Sequence, residues 1–375
     1  MAADHNPRNR GRLAVLAALA AVLLGAGAAA IALWPTIVGR ETATAVEPDR
    51  DGDTGPSDQD GTIDESEPTT IGSDQATDPG REPEPEGEAA ASAGAEPESQ
   101  PATPDTEPPL EPFELPLPAD GPSMVAALDE AEMTVRSPDL TNAQLDGWGR
   151  RQQSLYRHLS FHPEWADVVL AGVDREIRNA VALNWEARQN LSALVNTETR
   201  HEELPAWRVV TPLPPQTLIE YYKQAEADHG IQWEFLAGIN LVETRMGRIE
   251  GISTAGAIGP MQFLPTTWAE CCDGDPAVPA DAIAGAAKYL TIRGGPENMN
   301  RAIFGYNNSD YYVDAVTAYA TVMMENERAY YGYHAWEIYF LSTEGLIRIP
   351  VGYEQLEPIP ATTWLERHPE TLFSG

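Results

Sequence analysis

The sequence predicts a mainly α protein: a helical extension followed by a helical C-terminal domain, preceded by a transmembrane segment and a disordered acidic linker. Three observations lead there. From about residue 124 to residue 330, apolar residues recur at three- and four-residue spacings, the period of helices rather than strands. Leu13 to Trp34 is apolar and uncharged. Glu41 to Asp120 holds 23 Asp and Glu against two basic residues, Arg50 and Arg81, and few large apolar side chains.

Residues 1–12 are polar, and Arg8, Arg10 and Arg12 place them on the cytoplasmic side of the run that follows. Residues 13–34 would reach about 33 Å as a helix at ~1.5 Å per residue, enough to cross a bilayer. A cleaved signal peptide is the alternative, with Ala28-Ala29-Ala30 as its cleavage site. The length favours an uncleaved signal anchor, with Trp34 at the outer interface. No cysteine follows the run, which excludes a lipoprotein anchor. Both readings export the remainder, so the expected location is the cell membrane, single-pass, with the folded part outside.

Residues 35–121 read as a Pro-rich acidic linker that cannot offset its chain entropy by burial. As a flexible coil of this length it would span about 50 Å, and more with like charges and prolines. Asp51, Asp53, Asp58 and Asp60 faintly suggest a calcium loop, but the ligand set is incomplete and a solvated linker is the better reading. The formal net charge of -34 sits largely in this stretch. It argues against nucleic acid as a partner, because phosphate binding needs clustered Lys and Arg.

Residues 122–204 form a helical support region. Helical patterns cover 124–134, 142–160 and 164–198, with breaks at Ser137-Pro138 and His162-Pro163. Val169, Val173, Ile177, Val181 and Trp185 recur every four residues as a buried stripe. Residues 205–352 form the next domain. Its helices are expected over Thr217–Gly230, from Trp233, over Asp281–Arg293 with Ile283, Ala286, Ala287 and Leu290 inward, and over Tyr311–Tyr330. Ile347 to Val351 suggests a short strand, and 353–375 a tail. Cys271 and Cys272 are adjacent, cannot make a zinc site alone, and are expected as free thiols or an oxidised pair.

Leu236, Ile239, Glu243 and Met246 fall at i, i+3, i+7 and i+10, which puts a carboxyl on the apolar face of its helix. Burial keeps such a group protonated, as a general acid requires. Arg245, Arg248 and Glu250 point elsewhere or follow the helix end. Gly247 and Gly251 allow the turn after Met246.

The stretch Glu243-Thr244-Arg245-Met246-Gly247-Arg248 resembles the catalytic-glutamate motif of the lytic transglycosylases of bacterial cell walls, in the form of the membrane-bound B type. Ser253-Thr254-Ala255-Gly256-Ala257-Ile258-Gly259-Pro260-Met261-Gln262-Phe263-Leu264-Pro265 resembles the second motif, and Tyr306-Asn307 the third. The three stand in family order within residues 205–350. The resemblance implies a lysozyme-like fold and cleavage of the β-1,4 bond between N-acetylmuramic acid and N-acetylglucosamine of peptidoglycan. The sugar's own C6 hydroxyl would be the nucleophile, giving a 1,6-anhydromuramoyl end. Glu243 would be the single acid and base. Ser253 and Gln262 would line the saccharide groove, Met261 would give an apolar wall, Tyr306 would hydrogen-bond near the carboxyl, and Asn307 would hold the acetamido group or the local backbone. No cofactor or metal is implied; the partners would be glycan strands and division or wall proteins. A muramidase using Glu243 with a water held by Asp310, Asp273 or Glu250 is one alternative. A catalytically silent wall-binding or division scaffold is the other.

Overall fold

A computed structural model describes residues 111–194, 200–253 and 255–374; the apolar run 13–34, the linker up to residue 110 and its Asp cluster lie outside them. Among the described residues the protein is mainly helical, and no helix is long and apolar enough to cross a membrane.

The support region is α1 (Gly121–Arg136), α2 (Asn142–Phe161), α3 (Ala166–Gly172) and α4 (Arg178–Leu194). Asp120 and Thr141 cap α1 and α2: each side chain accepts from the backbone N–H three residues on, Ser123 and Gln144. The expected helix over 164–198 is two helices. Asp174 breaks it, because its carboxylate accepts the Glu176 N–H while its own N–H donates to Asp129. Most of the four-residue stripe survives the break: Val169, Val173, Ile177 and Val181 are buried, and Trp185 is only half-buried. The linker also ends earlier than expected. Arg151 on α2 donates to the carbonyls of Leu115 and Pro116 at 2.8 and 2.9 Å, and His158 Nε2 lies 2.8 Å from Pro118 O. Arg150 stacks over the Phe113 ring at 4.5 Å.

The C-terminal part runs β1 (Glu203–Leu204), β2 (Arg208–Val209), α5 (Pro215–His229), α6 (Trp233–Thr244), β3 (Ile249–Glu250), α7 (Pro265–Cys271), α8 (Pro279–Arg293), α9 (Met299–Tyr306), α10 (Asp310–Glu325) and α11 (Arg328–His334). It closes with β4 (Ile338–Ser342), β5 (Gly345–Ile349), β6 (Ile359–Pro360) and α12 (Ala361–Leu365). The strands pair antiparallel as β1 with β6, β2 with β3, and β4 with β5. The expected long helix over Tyr311–Tyr330 is split at Asn326, which separates α10 from α11. Residues 353–374 are no loose tail. Trp364 is buried and donates from its indole N–H to Thr371, and Phe373 N–H donates to Leu346 O.

One continuous apolar core includes Met124 and Leu128 of α1, Val181 of α4, Leu236 of α6, Leu290 of α8 and Tyr319 of α10. The support helices and the later helices therefore share their interior, and α10 lies against both α4 and α6. A smaller core under the strands holds Trp207, Phe340, Ile347, Tyr353 and Trp364. Cys271 and Cys272 are joined as a disulfide.

Candidate active site around Glu243

The α6 helix is central rather than amphipathic. From Trp233 to Thr244 every residue but Glu234 is buried. Glu243 therefore sits inside on a helix with no solvent face. The helix stops one residue after it. Arg245 and Met246 adopt left-handed backbone with φ of 55° and 61°, and Gly247 follows at 82°. The turn is made by these three residues, without Gly251. Met246 is still buried, but beyond the helix rather than on it. Arg245 and Arg248, expected to point away, are 5 % and 9 % exposed. Arg245 Nη1 donates to Leu241 O at 2.6 Å, and Arg248 Nη2 to His334 O at 2.8 Å.

Thr244 ties the turn to the second motif. Its hydroxyl lies 2.7 Å from Pro260 O and accepts the Gly247 N–H at 3.0 Å. Pro260, Met261 and Gln262 are thereby held beside the end of α6. Met261 is fully buried, and its carbonyl accepts the Tyr306 hydroxyl at 2.6 Å.

Glu243 is 0 % exposed. Its Oε1 accepts the Tyr312 hydroxyl at 2.6 Å, and its Oε2 has no partner among the described residues. Desolvation raises the carboxyl pKa to about 8, and the Tyr312 bond pulls it back only in part. The side chain is thus a neutral acid at pH 7. With Oε1 taken up as an acceptor, the acidic proton belongs on Oε2, which has nothing to donate to among the described residues. An unsatisfied buried donor costs about 1–3 kcal/mol and marks a group held for another partner.

The expected site residues divide. Glu243, Met261 and Tyr306 come together, and the Glu243 charge raises the Tyr306 pKa further after burial has done so. Tyr306 bonds Met261 O rather than the carboxyl. Gln262 is 3 % exposed with φ of 51°, and its amide donates to Gly259 O at 2.9 Å; it borders a small recess of about 30 Å³ shared with Tyr306, Phe263 and Tyr289. Asn307 caps α9 and is 4 % exposed, with its Nδ2 unpartnered among the described residues. Ser253 is held by its own turn, where its hydroxyl accepts the Ala257 N–H at 2.9 Å. A larger apolar groove of about 460 Å³ is lined by Leu213, Met246, Gly247, Ile258 and Pro260. Glu243 borders neither recess.

Tyr312 is the residue that the sequence reading missed. Tyr312, Val316, Tyr319 and Met323 all lie on the buried side of α10. Extending that stripe one turn back from Val316 would have found it. Comparison of the chain with family models, with curated proteins and with solved structures finds no match.

Proposed function

We propose that the protein is an exported peptidoglycan lytic transglycosylase with a lysozyme-like catalytic domain, anchored in the cell membrane by residues 13–34 and tethered by the acidic linker. The observation that carries this reading is the neutral, half-bonded carboxyl of Glu243. A protonated Oε2 with no acceptor among the described residues is what protonation of a glycosidic oxygen needs. After the bond breaks, the same oxygen as carboxylate would take the proton from the C6 hydroxyl of the muramoyl sugar, which closes the 1,6-anhydro ring. Tyr312 would stabilise that carboxylate through its bond to Oε1. The zero exposure of Glu243 means that a glycosidic oxygen reaches Oε2 only after a covering segment shifts.

Of the three acids that are candidates to hold a muramidase's water, two are engaged elsewhere. Glu250 accepts from Arg208 at 2.6 Å and Asp273 from Lys288 at 2.8 Å, both in exposed ion pairs. Asp310 is exposed at the start of α10. One acid serving twice suits transfer to an internal hydroxyl, whereas ordinary hydrolysis uses two carboxylates. The test is mass spectrometry of muropeptides released from purified peptidoglycan. Anhydro ends are expected; reducing ends would mean a muramidase, and no product a silent scaffold.

A further inference from the structure

Cys271 and Cys272 are the only cysteines of the chain, and they are bonded to each other. A bridge between neighbours closes no loop, so it contributes almost nothing through the entropy of the unfolded chain. Its effect is local. Cys271 ends α7 and is buried in the main core. Cys272 is half-buried and follows the helix end, with its N–H donating to Trp268 O at 2.9 Å.

α7 meets α8 at Gly285. A Cβ there would stand 2.4 Å from the Trp268 ring and 3.4 Å from Cys272 Cβ. The loop that starts at Cys272 turns back on two neighbours. Gly274 O accepts the Trp268 indole N–H at 3.2 Å, and Pro276 O approaches Gly259 so closely that no Cβ fits there. Gly259 O in turn accepts the Gln262 amide at 2.9 Å, and Ile258 and Phe263 exchange backbone hydrogen bonds of 2.9 and 3.0 Å. The bonded cysteines thus stand at the root of a loop that presses on the segment carrying Pro260, Met261 and Gln262.

Both oxidation states fit this place. Cys272 Sγ lies 3.5 Å from Gly285 O, an acceptor for a thiol S–H. Cys271 as a thiol would be one more small apolar side chain in the core. What reduction removes is the tie between the two side chains, and with it the fixed course of the chain from α7 into the loop.

We propose that Cys271–Cys272 is a redox switch that sets how tightly the loop 273–277 holds the segment Ile258–Phe263. The reductant is an external dithiol. Its thiolate attacks the half-buried Cys272 sulfur, and Cys271 leaves as a thiolate and takes up a proton. The second thiol of the dithiol then resolves the mixed disulfide. Two cysteine thiols are formed, and the dithiol is oxidised to its own disulfide. The bond persists where dithiols are scarce and opens where they are supplied. The proposal is independent of the glycan reading, because nothing in it depends on what Glu243 does.

The test is hydrogen exchange of the full chain, oxidised and treated with dithiothreitol, with free thiols counted by alkylation of a parallel native sample. Dithiothreitol should let the folded protein take up an alkyl group at both cysteines. Peptides covering Ile258–Phe263 should then exchange roughly 10-fold faster, while those from α1 and α4 stay unchanged. The double variant Cys271→Ser with Cys272→Ser should exchange fast at this segment without reductant and show no response to it. A folded protein that dithiothreitol leaves unalkylated would overturn the proposal. So would a reduced protein with unchanged exchange at Ile258–Phe263, or a folded double variant that exchanges like the oxidised wild type. If the double variant does not fold, the two wild-type measurements decide alone.

Discussion

Glu243 makes the stability of the fold depend on pH. Its ordinary pKa applies in the unfolded chain, and about 8 in the folded one. Between about pH 4.5 and 8 the folded state therefore holds a proton that the unfolded state has lost. Stability falls with rising pH across that window and levels off above it. Glu243→Gln has no such loss. Its melting temperature should rise relative to wild type as pH goes from 5 to 8, by an amount worth a few kcal/mol at ~1.36 kcal/mol per pKa unit. A constant difference across that range would mean that the carboxyl is not the perturbed group. Tyr312→Phe removes the one hydrogen bond that favours the charged form. The alkaline limb of the pH–rate profile should then move upward, with about 1–3 kcal/mol lost from stability because Oε1 is left unpaired. A limb that stays in place would show that Tyr312 does not act on Glu243. The sequence already placed Glu243 among apolar residues. It could not show that only one carboxyl oxygen is bonded, because Tyr312 comes from a helix 69 residues away.

At the scale of elements, the site depends on a short segment pressed against the end of α6. Gly259 has φ of 76°, and a Cβ there would stand 1.8 Å from Pro276 O. Gly256 also has a positive φ, 82°, but nothing lies within 4 Å of its Cβ position. Gly259→Ala should therefore cost about 2–4 kcal/mol and displace Pro260 to Gln262, whereas Gly256→Ala should cost only the backbone strain, about 1 kcal/mol. Urea titration of the two variants checks the ranking; equal losses would contradict it. Helix periodicity located α5 and α8 well because their inward residues are apolar, but it ran α10 and the start of α11 together across Asn326. It misjudged α6, whose residues are buried on all sides, and its end, where left-handed backbone falls on Arg245 and Met246 rather than glycine. It also missed β4, whose hairpin partner alone was suspected. A strand this short carries little pattern of its own.

For the whole molecule, composition assigned to the linker several residues that belong to the described fold. Proline and acidic residues up to Asp120 read as linker, yet Phe113 to Pro118 pack on α2 through carbonyls that no composition reveals. A chain beginning at Pro122 loses those bonds and the Asp120 cap, the latter worth about 1 kcal/mol by itself. It should melt several degrees below a chain beginning at Glu111, while both keep the same activity on isolated walls. Equal melting temperatures would show that this segment contributes nothing.

The central claim is that one buried acid cleaves glycan strands without water. The most direct measurement is the mass of muropeptides released from purified peptidoglycan by wild type and by Glu243→Gln, with the folding of each followed by melting temperature. General acid catalysis contributes ~100- to 10,000-fold, and here one group would serve as acid and base. Wild type should release 1,6-anhydromuropeptides, and the folded Glu243→Gln variant should fall by at least that range while still binding insoluble walls. A folded Glu243→Gln variant that releases anhydromuropeptides at a near-native rate would contradict the account.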